Sequence, residues 1–560
     1  MLKSLQKIFL ILAGSLAWSL TMVKSGLVYD YGVGFWGANG HDGVWHISLI
    51  RALSNGSFEM PIFAGEQIKN YHIGFDLLLA FVNRITNIPI SLLYFQIFPL
   101  VTASLIGLLT YKFVLNWKKS ETAAFWSTFF VYFGGDLGWF VYFLKNGHFG
   151  VVESMFWIQP SVLTLINPPY ALSLVLILLG LNLMFLQKQK SSLFGFLFLT
   201  MFFGLLIQIK VYAGLVVLAA LLLTAVYDLL INKKFNYLKV FLGSFIISFL
   251  VFLPNLKSGS LLVFKPFWIL ETMMIFPDRF GWVRFGEAMI NYRLGGKFFK
   301  AVVAYIIAFL VFLLGNLGTR FLAVFYWTKI LRRKKPESFD VFISTAIVIG
   351  LIVSLFFVQK GTPWNTIQFS YYSLFFVSIV AGIVFSGVLK ISKTKLANYL
   401  LIFGMLLFTL PTTISVLAHF LSSRPPAMIQ REELAALEFL SKMPKGVVLV
   451  MPFDKEAAEN ARDYPPRPLY LYESTSYVSA YSGQPVWLED EVNLDIMGYN
   501  WQDRRFKLEE VVSSNDSQKL MDFLVKENIS YIYLINKSKY ASLFLGRNKI
   551  YENELVSIYY

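Results

Sequence analysis

Long apolar runs separated by short polar connections fill the first three quarters of the chain. Runs of this length cross a hydrocarbon layer of about 30 Å as helices. The pattern predicts eleven spans, near 8–29, 90–114, 121–144, 169–187, 192–208, 211–230, 240–254, 300–326, 340–358, 368–389 and 396–420. The fifth and sixth, divided only by "QIKVYAG", read equally as one broken helix with a re-entrant turn. Three connections are long: 30–89, 145–168 and 255–299. Beyond "SSRPPA", a linker by composition, the pattern changes. "REELAALEFLSKMP" reads as an amphipathic helix, "KGVVLVMP" as a buried strand and "QPVWLE" as a strand. "SQKLMDFLVKEN" reads as a helix, "SYIYLIN" as a strand and "NKIYENELVSIYY" as a hairpin turning at Glu552-Asn553. The expectation is a polytopic α-helical membrane domain over residues 1–421 and a small α/β domain over 422–560.

Composition agrees: 56% of the 560 residues are hydrophobic and only 15% are charged. A soluble chain carries about a quarter charged residues. The net charge of +15 does not point to nucleic acid, because the cations sit in short connections between apolar runs. Lys3 and Lys7, Lys118 and Lys119, Lys188 and Lys190, and Lys233, Lys234 and Lys239 fall in alternate connections. "KILRRKK" (Lys329 to Lys335) and Lys390, Lys393 and Lys395 continue the alternation. All lie on one side if the N-terminus is cytoplasmic, which puts the three long connections and the C-terminal domain outside the cytoplasmic membrane. The N-terminal run resembles a signal peptide but lacks a small-x-small cleavage site, so it is read as an uncleaved span. The absence of cysteine excludes disulfides, thiol catalysis and Cys-ligated metal centres.

The first long connection holds the densest chemistry. "DGVWHISLIRALSNG" has a helical pattern stopped by Asn55-Gly56, with Asp42 and His46 one turn apart on one face. Its many apolar residues predict a helix lying along the membrane surface. "NYHIGFDLLLAFVNR" repeats the spacing with His72 and Asp76. Asp136 lies near the outer end of a span, where an ionisable group is a functional candidate. Lys210 and Lys360 interrupt very short outer connections, and Arg279 and Arg284 (with Arg293 and Lys297) follow on the same side. Cations there suit a phosphate headgroup, which arginine grips bidentately. A rival reading is a metal site, since His41, Asp42, His46, His72 and Asp76 offer nitrogen and oxygen ligands for zinc or manganese. A transporter or an assembly protein is a rival of another class. Transporters place broken helices and charges near mid-membrane, whereas here the polar groups gather at the outer face.

The arrangement resembles the GT-C superfamily of polytopic glycosyltransferases. "HDGVWHISLIRALSNG" followed by "YHIGFDLLLAF" looks like the first-loop pattern of bacterial and archaeal members. "SAYSGQPVWLE", "NWQDRRF", "KENISYIYL" and "IYENELVSIYY" are similar to the tails of YfhO-like members. The resemblance implies transfer of a sugar from a polyprenyl-phosphate donor to an acceptor hydroxyl outside the cytoplasmic membrane. It implies Asp42 as general base, with Asp30 a competitor nearer the span and His46 beside Asp42. Lys210, Arg279, Arg284 and Lys360, with His72 and Asp136, would bind substrate. The first long connection lacks the adjacent Asp-Glu pair of protein mannosyltransferases, and the chain lacks the peptide-binding motif of oligosaccharyltransferases. The acceptor (glycan, lipid or protein) is therefore open, as is a diphosphate-linked donor in a ligase or polymerase. No Asp-x-Asp motif occurs in the long outer connections, so the reading uses no cofactor. The partners are donor, acceptor and membrane lipid.

Overall fold

The computed structural model describes residues 2–150, 154–189, 192–253, 262–332, 335–392, 394–462, 464–514, 516–538, 540–544 and 548–560. Of the expected same-side cations, Lys190, Arg333, Lys334 and Lys393 lie outside the described residues, as do the side chains of Lys3, Lys188 and Lys329. So do parts of the long connections, 151–153 and 255–261.

The chain separates into two compact units. Among the described residues, one comprises 2–21, 99–253 and 262–421, and the other 22–98 and 422–560. The first long connection therefore clusters with the C-terminal segment, and not with the membrane helices as the 1–421 boundary had it.

The chain is a multi-pass membrane protein, with helices at most of the predicted spans. Seven helices among the described residues are long and apolar enough to cross a membrane: Ile90–Lys118, Pro168–Gln187, Val211–Asn232, Phe298–Thr328, Ser338–Phe356, Pro363–Ile391 and Lys395–Phe420. Leu5–Ser19, Leu193–Ile209 and Asn236–Phe252 are shorter apolar helices. Local chemistry sets several ends. Ser120, Ser192 and Thr394 accept hydrogen bonds from the backbone N–H three residues on. Glu337 and Asp340 form a reciprocal capping box. Gly382 lets the Ile367–Ile391 helix approach the Ser127 backbone so closely that a Cβ would sit 2.1 Å from its nitrogen. Small residues at helix contacts are how membrane helices pack without a hydrophobic driving force.

Two predicted spans differ. The first helix ends at Ser19, and the apolar stretch continuing to Tyr29 turns into a hairpin of Val28–Tyr29 and Gly32–Phe35. The 121–144 span breaks into Glu121–Phe133 and Gly138–Asn146. The cause is close packing at Gly134, where a Cβ would lie 2.9 Å from Arg320 Cδ, and at Gly135, whose carbonyl accepts a hydrogen bond from Arg320 Nη2. The fifth and sixth spans are separate helices, divided at Lys210 in extended backbone.

The second unit holds two four-stranded sheets. In one, Gly32–Phe35 pairs antiparallel with Val28–Tyr29 and with Ala427–Gln430, which pairs parallel with Arg467–Pro468. In the other, Ile529–Ile535 runs parallel to Val447–Val450 and antiparallel to Val556–Tyr559, and Lys549–Glu552 forms the edge. The predicted strand "QPVWLE" is absent. Val486 makes only an isolated bridge to Val448, and the segment turns away to bury Glu489. The shared core explains the division of the chain. Trp45, Leu49, Met60 and Ile62 from the first connection pack with Leu449, Trp487, Leu494 and Ile532 from the C-terminal segment.

The Asp42–Ser54 helix does not lie along a surface, because Gly43 through Ile50 are all buried. The Gly74–Thr86 helix carries the exposed apolar face instead, with Phe81 and Ile85 each 64% exposed.

Candidate functional site

Asp42 is the first residue of its helix, where the macrodipole favours a negative side chain. Its side chain is half exposed (51%), and Oδ1 accepts a hydrogen bond from His41 Nδ1 at 2.7 Å. The other nitrogen of His41 lies 3.1 Å from Ser474 Oγ and 3.8 Å from Asp490 Oδ1. Burial alone would lower the His41 pKa. Hydrogen bonds and charge from Asp42 and Asp490 outweigh that and raise it to about 10. At neutral pH His41 is an imidazolium bridging two carboxylates. Asp490 is itself buried, yet His41, Ser474 and Asn493 hold it below the ordinary carboxylate range.

His46 turns the other way. Its Nδ1 meets Asp76 Oδ1 at 2.7 Å, and both side chains are buried. The ring stacks against Tyr94 and sits edge-on to Phe75. Burial raises the Asp76 pKa, and His46 partly opposes the shift. The predicted helices do meet, but through a crossed pair: His46 bonds Asp76 from the second helix, while Asp42 bonds the residue before it. His72 stacks on Tyr71, with ring centroids 4.6 Å apart. Among the described residues, no three His, Asp or Glu side chains converge in a metal-binding group. Asp30, the competitor acid, is exposed in the turn of the Val28–Phe35 hairpin.

The remaining candidates belong to the membrane unit. Lys210 is buried and faces the Tyr212 ring at 5.5 Å. Tyr212 donates to Gln359, the residue before exposed Lys360, so these two cations sit on neighbouring segments. Arg279 stacks on Trp157 at 4.2 Å and pairs with Asp278 at 3.5 Å. Arg284 is exposed on the Val283–Leu294 helix. Asp136 is buried, and Oδ1 accepts from the Gly138 N–H at 2.8 Å.

Three residues of these clusters escaped the sequence reading. Asp490 and Ser474 are remote in sequence from His41, and no local pattern links them. Arg320 was legible, being an ionisable residue inside an apolar run, which is a functional candidate by default. It is fully buried and donates to the carbonyls of Gly135, Asn316 and Leu317.

No protein-family model matches the chain, and no curated protein matches it. Solved structures do. The oligosaccharyltransferase of Archaeoglobus fulgidus, crystallised with a tethered acceptor peptide, matches with a TM-score of 0.51 and 11% identity, over 94% of this chain and 69% of that one. Its apo form matches with a TM-score of 0.51 and 12% identity, over the same shares. The arabinofuranosyltransferase AftD from Mycobacteria matches with a TM-score of 0.52 and 12% identity, over 99% of this chain, which spans 40% of AftD. Over 94–99% of its length the chain therefore shares its fold with these two membrane transferases.

Proposed function

We propose that the protein transfers a sugar from a polyprenyl-phosphate donor to an acceptor hydroxyl at the outer face of the cytoplasmic membrane. The observation that carries this reading is a half-exposed carboxylate, Asp42, opening a helix in the connection after the first helix of a GT-C fold. Asp42 takes the proton of the acceptor hydroxyl, whose oxygen bonds to the anomeric carbon as the bond from that carbon to the phosphate oxygen breaks. A positioned base contributes about 10²–10⁴ in rate. Lys210, Arg279, Arg284 and Lys360 neutralise the departing polyprenyl phosphate, a role that requires no metal. One base and one leaving group on opposite sides of the sugar invert the anomeric centre. His72 and Asp136 complete the substrate-binding set. His46, paired with Asp76, holds the Asp42 helix in place. Likeness to an oligosaccharyltransferase supports a second reading, in which a preassembled glycan is transferred from a diphosphate-linked donor.

Purified protein supplied with polyprenyl-phosphate and polyprenyl-diphosphate sugars and an acceptor extract tests the reading, with the released lipid followed by mass spectrometry. Release of the monophosphate is expected. Release of the diphosphate alone selects the second reading, and release of neither contradicts both. The proposed orientation, N-terminus cytoplasmic and C-terminal segment outside, is tested with a cysteine at Tyr560, which is 71% exposed. It should react with a membrane-impermeant thiol reagent in intact cells.

A further inference from the structure

A cavity of about 420 Å³ opens in the C-terminal segment, within the range of small-molecule sites. It lies at the carboxyl ends of the parallel strands Val447–Val450 and Ile529–Ile535, with Val450 and Ile535 in its wall. In open α/β sheets this is where ligands bind. Nothing in the transfer chemistry uses this cavity.

Its wall is specific in kind. Tyr470, Tyr472, Tyr477 and Phe453 supply aromatic surface. Asp454, Glu473, Glu489, Asp490 and Glu491 line it against two cations, Arg505 and Lys537. An excess of acids rejects phosphate and other anions, so the donor's headgroup does not belong here. Two donors in the wall lack partners. The hydroxyl of Thr475, a residue only 8% exposed, makes no hydrogen bond, and neither does Arg505 Nη1, although the same guanidinium pairs with Glu491. Buried donors without partners cost stability, so their retention calls for a ligand that accepts from them. Glu489 is already satisfied by the N–H groups of Val478 and Ser479, and burial raises its pKa to about 8. Asp490 joins the cavity to His41, which bonds Asp42.

We propose that this cavity binds a neutral saccharide unit of the acceptor. Sugar hydroxyls accept from Thr475 and Arg505, donate to the carboxylates and present C–H faces to the tyrosines. That the saccharide is the acceptor rests on the transferase reading; that the cavity binds it does not.

The test uses the full chain in nanodiscs on an array of neutral, acidic and phosphorylated oligosaccharides, followed by calorimetry with the best binder. Binding of a neutral oligosaccharide is expected, at least 5-fold weaker in Thr475→Val and in Arg505→Lys. Because Thr475→Val removes only an unpartnered hydroxyl, its melting temperature should not fall, which separates lost recognition from lost folding. The proposal is overturned if no neutral oligosaccharide binds, if anionic glycans bind in preference, or if both variants bind like wild type. Saccharide binding without donor turnover keeps the cavity and removes the transferase. Turnover with no saccharide binding does the reverse.

Discussion

Two histidine–aspartate pairs, each with a 2.7 Å contact, engage the Asp42–Ser54 helix one turn apart, through Asp42 and through His46, and differ in nearly everything else. His41–Asp42 sits at the helix start, half open to solvent, and is extended by Ser474 and Asp490. His46–Asp76 is sealed among Tyr94, Phe75 and Tyr71. Residue type and spacing do not separate the two pairs; solvent access does. A carboxylate that takes a proton from a substrate must be reachable, and one that ties two helices together must not be.

The largest effect that would sharpen this contrast is on catalysis. Asp42→Asn should lower donor turnover by about 10²–10⁴ while the protein stays folded, because Asp490 still holds His41 and the Asp42 side chain is half exposed. His46→Ala should do the opposite and lower stability, by about 1–3 kcal/mol for the buried Asp76 carboxyl left without its hydrogen-bond partner. Chemical denaturation reads that loss, and a stable His46→Ala protein would break the comparison.

A smaller effect concerns pH. The folded pKa of His41, about 10, lies above its ordinary 6.5, so the folded state holds a proton that the unfolded state releases between those values. The stability contributed by His41 is complete below about pH 6.5 and declines as pH rises toward 10. Wild type should therefore lose melting temperature faster than His41→Gln across that window, and parallel slopes would contradict the bridging imidazolium. The smallest effect is expected of Asp30→Asn, at an exposed hairpin turn. Its turnover should stay within about 2-fold of wild type, and a loss on the Asp42 scale would move the base to Asp30.

Much of the fold was legible because apolar runs of helical length have few other solutions in a membrane protein. Most of the C-terminal elements were legible from period and turn residues. What was not legible depended on tertiary contact. The Gly134-Gly135 pair is a local break signal, but what fixes the break there is Arg320 packed against it. Nothing in "QPVWLE" shows that Glu489 is buried to cap backbone N–H groups instead of continuing a strand. At the site, the four-residue spacing placed Asp42 and His46 on one face but could not choose their partners. His46 takes Asp76 on another helix, and Asp42 takes the neighbouring His41, which reaches Asp490 at the far end of the sequence.

Whether Asp42 is the base is decided by presenting wild type and Asp42→Asn side by side with polyprenyl-phosphate sugars and acceptor extract, and measuring released polyprenyl phosphate by mass spectrometry. Release by wild type with loss of at least 10²-fold in a folded Asp42→Asn protein is the predicted result. Equal release by both proteins would remove Asp42 as the base.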